Sequence, residues 1–189
     1  MQEIAKDIWK KVQTLQRDHQ RLLIAVDGRC AAGKTTLAAR LMEENDCAVL
    51  HMDHFFLRPE QRTPQRLDEP GGNVDHERFL REVLLPLREG AAFSYRPYDC
   101  RRQALSDPVR VEPCAVNIIE GSYSCHPALR EYYDLRIFLT VEPEEQMRRI
   151  RVRNGESCAE RFRQKWIPLE ERYFAACRVA GQCDLCYET

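Results

Sequence analysis

The stretch from Gly28 to Thr35 carries the residue types and spacing of a phosphate-binding loop. Its sequence, Gly-Arg-Cys-Ala-Ala-Gly-Lys-Thr, fits the Walker A pattern of Gly, four residues of any type, Gly-Lys, and Ser or Thr. Glycines at both ends let the backbone curl until successive N–H groups point at phosphate oxygens. Lys34 would bring a positive charge to the β and γ phosphates, and the Thr35 hydroxyl can ligate Mg²⁺. The motif therefore predicts a site for a nucleoside triphosphate and Mg²⁺.

The segments on either side of this loop have the patterns that the motif requires. Leu22 to Asp27 is a short, mostly apolar run typical of a buried strand, and Lys34 to Glu44 is rich in strong helix formers. A helix that begins at the loop points its positive N-terminal end at the phosphates. The loop thus lies between a strand and a helix, which favours phosphate binding over an incidental glycine-rich turn.

Two acidic residues directly follow apolar strands elsewhere in the chain. Asp53 comes just after the predicted strand 47–51, and Glu120 ends the run 115–119. Because the carboxyl ends of neighbouring parallel strands share one crevice, both carboxylates can lie near the phosphate loop. Asp53 could accept a proton from an attacking hydroxyl, and Glu120 could hold Mg²⁺, often through water. A backbone-capping loop aspartate and an exposed glutamate at the end of a strand are the alternatives.

Four arginines crowd the helix that precedes Asn154-Gly155, namely Arg148, Arg149, Arg151 and Arg153. A basic cluster beside a flexible break suits a lid, at about 148–162, that folds over phosphates and excludes water. A charged helix face in solvent would look similar.

Strands that alternate with helices predict an α/β fold with a mostly parallel sheet. A last strand could lie at 184–187, and 58–74 is predicted to be a loop because it is crowded with proline and glycine. Residues 92–112 are expected to form an irregular or hairpin excursion. The pattern gives one domain over residues 1–189, and its remaining predicted elements are helices at 2–19, 75–88, 142–153 and 158–179 and a strand at 135–141.

Composition excludes several classes of protein. The chain has 29 basic and 30 acidic residues and a formal net charge of −1, so we expect no nucleic-acid partner. No apolar run is long enough to span a membrane, and no targeting segment is evident, which leads us to expect a cytoplasmic protein. Nine cysteines in no framework spacing favour reduced thiols. Cys183 and Cys186 form a single C-x-x-C whose role stays open, with ordinary strand residues the first interpretation.

The order of these motifs resembles that of the uridine kinase family, which also includes phosphoribulokinase and one class of pantothenate kinase. The resemblance covers roughly residues 20–187. The motifs that carry it are Gly28–Thr36, Met52-Asp53-His54-Phe55-Phe56, Asn73-Val74-Asp75-His76, Tyr98-Asp99 and Glu120-Gly121. It implies a P-loop NTPase fold with a five-stranded, mostly parallel sheet, a lid and a small β-hairpin.

The resemblance also implies roles for individual residues. Asp53 matches the catalytic base, Asp75 an aspartate that binds ribose hydroxyls, and Glu120 the Mg²⁺-associated carboxylate. Tyr98 lies where the family places an aromatic residue near the base, and Gln103 stands where its uridine–cytidine kinases have a histidine. Arg149 and Arg153 approximately match lid arginines. The predicted nucleotide-binding residues are Gly28, Arg29, Cys30, Ala31, Ala32, Gly33, Lys34, Thr35, Thr36 and Arg153. The predicted substrate contacts are Asp53, Phe56, Asp75, Tyr98, Gln103 and Arg149, and the predicted catalytic residues are Asp53, Lys34 and Arg149.

The leading hypothesis is an ATP-dependent kinase that phosphorylates a nucleoside 5′-hydroxyl, with uridine or cytidine as the expected type of substrate. A kinase of a sugar, a polyol or a pantothenate-like alcohol is the first alternative, because glutamine replaces histidine at position 103. A regulatory ATP-binding protein is the second alternative. The family often forms oligomers, so a homo-oligomer stays open.

Overall fold

The computed structural model describes Met1–Thr189 and is built on a five-stranded parallel sheet. Nine strands are numbered in chain order: β1 Leu22–Gly28, β2 Ala48–His51, β3 Phe93–Tyr95, β4 Tyr98–Asp99, β5 Ala104–Leu105, β6 Val109–Val111, β7 Val116–Glu120, β8 Leu135–Thr140 and β9 Leu185–Glu188. The main sheet has the order β2-β7-β1-β8-β9, and every neighbouring pair in it is parallel. The predicted α/β fold with a five-stranded parallel sheet is confirmed.

Helices cover both faces of this sheet. They are α1 Gln2–Leu15, α2 Lys34–Glu44, α3 Pro64–Asp68, α4 His76–Phe79, α5 Leu85–Glu89, α6 Pro143–Asn154, α7 Glu156–Arg161 and α8 Ile167–Ala176. A π-helical segment joins α4 to α5, and another joins α7 to α8. No helix is both long enough and apolar enough to cross a membrane.

The side chains of β1 alternate between two hydrophobic cores, because successive residues of a strand point to opposite faces. Leu22, Ile24 and Val26 pack with α1 and α2 on one face. Leu23 and Ala25 pack with α4, α5 and α8 on the other. With both faces buried, β1 reads as a continuous apolar run, which is how the sequence predicted it. The two cores hold β1 at the centre of the sheet, where it positions the loop that follows it.

Two of the predicted segments differ in the structure. Helix α1 ends at Leu15 rather than residue 19, because residues 16–20 are all polar and offer nothing to bury. The segment 58–74, predicted as a loop, contains a 3₁₀ turn and helix α3. Helix α3 has a local cause, since Thr63 caps its N-terminus by accepting the Arg66 N–H and Pro64 occupies its first position.

The excursion at residues 92–112 forms two small antiparallel pairs. Strand β3 pairs with β6, and inside this pair β4 pairs with β5. The helix predicted at 158–179 is interrupted by its π-helical segment and ends at Ala176. The break predicted at Asn154-Gly155 is present, and Gly155 has φ +79° there.

Candidate nucleotide and phosphotransfer site

The predicted phosphate loop, residues 28–35, connects β1 directly to α2. Gly28 has φ +137°, and a Cβ atom there would lie 2.0 Å from the Leu139 carbonyl oxygen of β8. No side chain could be accommodated at that position without separating β1 from β8. Gly33 has φ +86° immediately before α2, and Ala31 also lies in the left-handed region, at φ +61°. The backbone thus has the curled form that the motif predicts.

The side chain of Lys34 folds back over this loop. Its Nζ donates hydrogen bonds to the carbonyl oxygens of Gly28, at 2.6 Å, and Arg29, at 2.9 Å. The side chain is buried, so the ammonium group is held at the surface of the loop rather than in bulk solvent. A phosphate at the loop would therefore meet a positive charge that is already in position.

Glu120 ends β7 beside the loop, because β7 pairs with β1 in the register Val26 to Glu120. The Thr35 hydroxyl lies 3.3 Å from Oε1 and 3.2 Å from Oε2 of Glu120. Nδ1 of His51 lies 2.5 Å from Oε1, and this hydrogen bond raises the pKa of His51. Glu120 is only 4% exposed, so its charge acts mainly on these neighbours and on the cavity that it faces.

The Thr35 hydroxyl and the Glu120 carboxylate face each other, and both are oxygen ligands of the kind that Mg²⁺ prefers. No group of three or more His, Cys, Asp or Glu residues is arranged to hold a metal ion. This donor set fits Mg²⁺, because that ion is usually held by one or two protein oxygens together with substrate phosphates and water. All nine cysteines are free thiols, and Cys186 of the C-x-x-C is an exposed residue of β9.

Asp27 is a buried acid beneath the phosphate loop that the sequence analysis did not single out. It is fully buried, and its Oδ1 accepts the N–H groups of Gly28 and Tyr123. Its Oδ2 accepts the Cys125 N–H at 2.8 Å and the Tyr173 hydroxyl at 2.9 Å. Burial raises the pKa of Asp27 to about 6, against the lowering effect of these donors and of Lys34. Asp27 thereby joins β1, the turn after β7 and helix α8.

Asp53 lies in a 3₁₀ turn, Met52–Phe55, that directly follows β2. Its Oδ1 lies beside Gly121, since a Cβ atom on that glycine would approach it to 3.2 Å. The carboxylate faces the cavity, where surrounding protein displaces solvent and raises its pKa. The positive charge of Lys34 acts in the opposite direction, and Glu120 adds to the rise. Asp53 therefore shares the cavity with Lys34 and Glu120, and the charges of both act on its carboxylate.

One cavity of about 1400 Å³ contains most of the predicted site residues. Those that line it are Cys30, Ala31, Gly33, Lys34, Thr35, Thr36, Asp53, Phe56, Gln103, Glu120, Arg149 and Arg153. They come from segments as far apart as the second and sixth helices. The carboxyl ends of β1, β2 and β7 bring them together.

Asp75 and Tyr98 do not line this cavity. Asp75 is buried, and it caps α4 by accepting the Arg78 N–H through Oδ1 while Oδ2 accepts the Gln61 amide at 2.6 Å. Tyr98 is also buried, and its hydroxyl accepts a hydrogen bond from Arg62 at 3.2 Å. Both residues support the wall behind the cavity, and their contact with substrate stays a prediction.

The two predicted lid arginines lie on α6, near the phosphate loop. Nη1 of Arg149 donates to the Ala31 carbonyl oxygen at 3.2 Å, and its Nε donates to Glu145 at 2.8 Å. The guanidinium carbon of Arg153 lies 5.9 Å from the centre of the Phe162 ring. Arg149 is thus already at the loop, whereas closure of a lid over residues 148–162 stays a prediction.

Comparison with known proteins agrees with this geometry. A scan against profiles of protein families finds no match. Over 161 residues the chain is 30% identical to uridine kinase-like protein 4 of Arabidopsis thaliana, a match that covers 77% of this chain and 34% of that protein. It is 28% identical over 145 residues to uridine kinase of Ligilactobacillus salivarius strain UCC118, covering 71% of this chain and 66% of the relative. The chain therefore spans about a third of the first relative's length and just under two thirds of the second's.

Solved structures share the fold over nearly the whole chain. A "putative fructose transport system kinase" from Silicibacter sp. TM1040 is 26% identical with a TM-score of 0.67, covering 89% of this chain and 90% of that one. A "possible uridine kinase" from Bacillus stearothermophilus has a TM-score of 0.65 at 18% identity, covering 96% and 99%. The parallel sheet, with its glycine-rich loop between β1 and α2, defines a P-loop NTPase fold, which the chain shares with these proteins. Among curated proteins, the chain is similar to uridine kinases and uridine kinase-like proteins.

Proposed function

We propose that this protein transfers the γ-phosphate of ATP to a hydroxyl group of a small alcohol, with a nucleoside 5′-hydroxyl as the first candidate acceptor. The observation that carries this proposal is the shared cavity, which Lys34, Thr35, Glu120 and Asp53 all line. Relatives named as uridine kinases support the nucleoside as acceptor.

The size of the cavity supports two substrates rather than one. Single-ligand pockets are typically about 300–1,000 Å³, and this cavity measures about 1400 Å³. A protein that only sensed ATP would not need a carboxylate at position 53 that faces the same cavity as Lys34. The second alternative, a regulatory ATP-binding protein, is therefore the weaker one.

In the proposed reaction, the loop amides and Lys34 hold the β and γ phosphates, and Arg149 adds positive charge from α6. Asp53 accepts the proton of the acceptor hydroxyl as that oxygen attacks the γ-phosphorus. Thr35 and Glu120 would hold Mg²⁺, which neutralises charge that builds up on the phosphate oxygens. ADP leaves with the bond between its β-phosphate oxygen and the γ-phosphorus broken, so atoms and charges balance.

A non-nucleoside alcohol is the second candidate acceptor, and two observations favour it. Asp75, which the resemblance matches to a ribose-binding aspartate, does not line the cavity, and each of its oxygens already accepts a hydrogen bond from a protein group. Arg62 lines the cavity and makes no ion pair with a carboxylate. An acceptor with its own carboxylate or phosphate group could pair with this guanidinium, whereas uridine could not.

The test is ADP release from Mg·ATP with a panel of acceptors. Uridine and cytidine represent nucleosides, and neutral sugars, polyols and carboxylate-bearing alcohols represent the second candidate. We expect one acceptor class to raise the rate well above the rate without acceptor, and we expect Asp53→Asn to remove that increase. Slow hydrolysis that no acceptor changes would overturn the proposed function and favour a regulatory protein.

A further inference from the structure

Glu170 brings a buried carboxylate into the phosphate loop from helix α8. Its Oε2 accepts the Cys30 N–H at 2.9 Å, and its Oε1 accepts the Ser122 hydroxyl at 2.5 Å. The residue is 5% exposed, and it lines the same cavity as Lys34. One side chain thus joins the loop after β1 to the turn after β7, at positions 140 and 48 residues away.

Glu170 makes one of three contacts that join α8 to residues 27–30. Its neighbour Glu171 forms an ion pair with Arg29, and the Tyr173 hydroxyl donates to Asp27. Asp27, Arg29 and Cys30, at the base and start of the loop, are therefore each held by a residue from one turn of α8. We call this set of contacts the α8 brace.

The Glu170 carboxylate holds the Cys30 N–H, whereas the carbonyl oxygens of Cys30 and Ala31 accept hydrogen bonds from Gln146 and Arg149 of α6. The residue after Cys30 is Ala31, which lies in the left-handed region at φ +61°. Such a conformation persists in a non-glycine residue only where its surroundings hold it. A hydrogen bond to a carboxylate is stronger than one between neutral groups, so Glu170 is well suited to hold the backbone just before this strained residue.

We propose that Glu170 is a positioning residue that holds the phosphate loop in the form that receives the triphosphate. This inference rests on the proposed binding of ATP. The hydrogen bonds favour nucleotide binding, whereas the negative charge opposes it, because the phosphates enter the same cavity. The two effects can be separated by substitution.

Glutamine at position 170 keeps the shape and removes the charge. Its amide oxygen can accept the Cys30 N–H, and its amide N–H can donate to the Ser122 oxygen. Alanine removes both hydrogen bonds and leaves a buried N–H without a partner. Glu170→Gln should therefore bind nucleotide as well as the unchanged protein or better, and Glu170→Ala should bind it less well.

The experiment measures the dissociation constant of a fluorescent N-methylanthraniloyl ATP analogue in the presence of Mg²⁺. We expect Glu170→Ala to raise it about tenfold, or about 1.4 kcal/mol, and Glu170→Gln to leave it within about twofold of the unchanged protein or lower it. Glu89→Ala is the matched control, because Glu89 is an exposed residue of α5 that lies outside the cavity and makes no side-chain hydrogen bond or ion pair. The dissociation constant of this control variant should equal that of the unchanged protein.

A second variant tests the other end of the same contact. Ser122→Ala removes the hydroxyl that anchors Oε1, so it should weaken binding in the same direction, and it covers the case in which Glu170→Ala does not fold. Unchanged affinity in both alanine variants would overturn the inference, as would equal losses in Glu170→Gln and Glu170→Ala. In kinase assays the KM for ATP should rise in Glu170→Ala more than the KM for the acceptor.

The unchanged protein separates this inference from the proposed function. If it binds the analogue and Glu170→Ala does not, the inference stands even where no acceptor is phosphorylated. If the unchanged protein does not bind the analogue at all, the proposed function and the inference are both overturned.

Discussion

The Thr35 hydroxyl lies 3.2 Å from Oε2 of Glu120, although 85 residues separate the two in the chain. The contact exists because β1 and β7 are parallel neighbours whose carboxyl ends coincide. The Thr35 hydroxyl, in the first turn of α2, and the Glu120 carboxylate, at the end of β7, are two possible metal ligands. They face each other where the β and γ phosphates are expected.

Glu120→Gln should raise the Mg²⁺ concentration that half-maximal activity requires. The amide has no negative charge, so it holds a divalent cation less well. Activity measured against free Mg²⁺ at constant ATP should show a midpoint several-fold higher than in the unchanged protein. An identical Mg²⁺ curve for both proteins would remove Glu120 from the predicted metal site.

Asp53→Asn should lower turnover about 100-fold or more, because the amide cannot accept the proton of the acceptor hydroxyl. Binding of the fluorescent ATP analogue should stay within about twofold. Glu60→Gln is a suitable control, since Glu60 is an exposed residue in the loop that follows. Near-normal turnover in Asp53→Asn would show that another group is the base.

The pH dependence of kcat/KM should also report Asp53. The pKa of Asp53 is raised from its ordinary value of 3.8, because surrounding protein displaces solvent from the carboxylate. A base must be deprotonated to act, so activity should fall as pH decreases, with a midpoint above 3.8. The His51→Gln variant is the informative comparison, since the pKa of His51 is raised as well. Loss of the acidic limb in that variant would assign the titration to the imidazole instead.

Lys34→Ala should weaken both nucleotide binding and turnover. The ammonium group is held against two carbonyl oxygens of the loop, so we expect the dissociation constant of the ATP analogue to rise at least about tenfold without it. Lys6→Ala removes an equal charge from the exposed face of α1, outside the cavity. Affinity equal to that of the Lys6 variant would refute the phosphate-loop assignment.

Asp27→Asn should destabilise the protein rather than act on a substrate. Four donors converge on this buried carboxylate, and an amide N–H would face at least one of them. Leaving a buried donor without an acceptor costs about 1–3 kcal/mol. Urea denaturation should show a lower midpoint, and an unchanged midpoint would mean that the amide is accommodated by local rearrangement.

The sequence predicted those parts of the fold that depend on local pattern. The apolar run before Gly28 and the helix formers after Lys34 indicated β1 and α2. The rule that parallel strands share a carboxyl edge then related Asp53 and Glu120 to the loop. The structure brings these residues to one cavity, as that reasoning predicted.

Asp27 and Glu170 were missed for different reasons. Asp27 had a local signal, since it is the one charged residue in an otherwise apolar strand. Glu170 had none, because its partner Cys30 lies 140 residues earlier and nothing near Glu170 in the sequence marks the contact. Helix α3 was overlooked although Thr63-Pro64 is a common way for a helix to begin. Asp75, a predicted substrate contact, accepts hydrogen bonds from Gln61 and Arg78, and its contact with substrate stays a prediction.

The two hydrogen bonds from Lys34 to the Gly28 and Arg29 carbonyl oxygens lower the affinity of the loop for anions that make few contacts. Any anion must compete with these bonds for the ammonium group. A single phosphate or sulfate ion makes too few contacts to offset the loss of both hydrogen bonds. A triphosphate chain can contact the ammonium group, the loop amides and Arg149 at the same time. Inorganic phosphate and sulfate at ordinary concentrations would therefore be poor inhibitors, and the length of the polyphosphate chain would set the selectivity of the site.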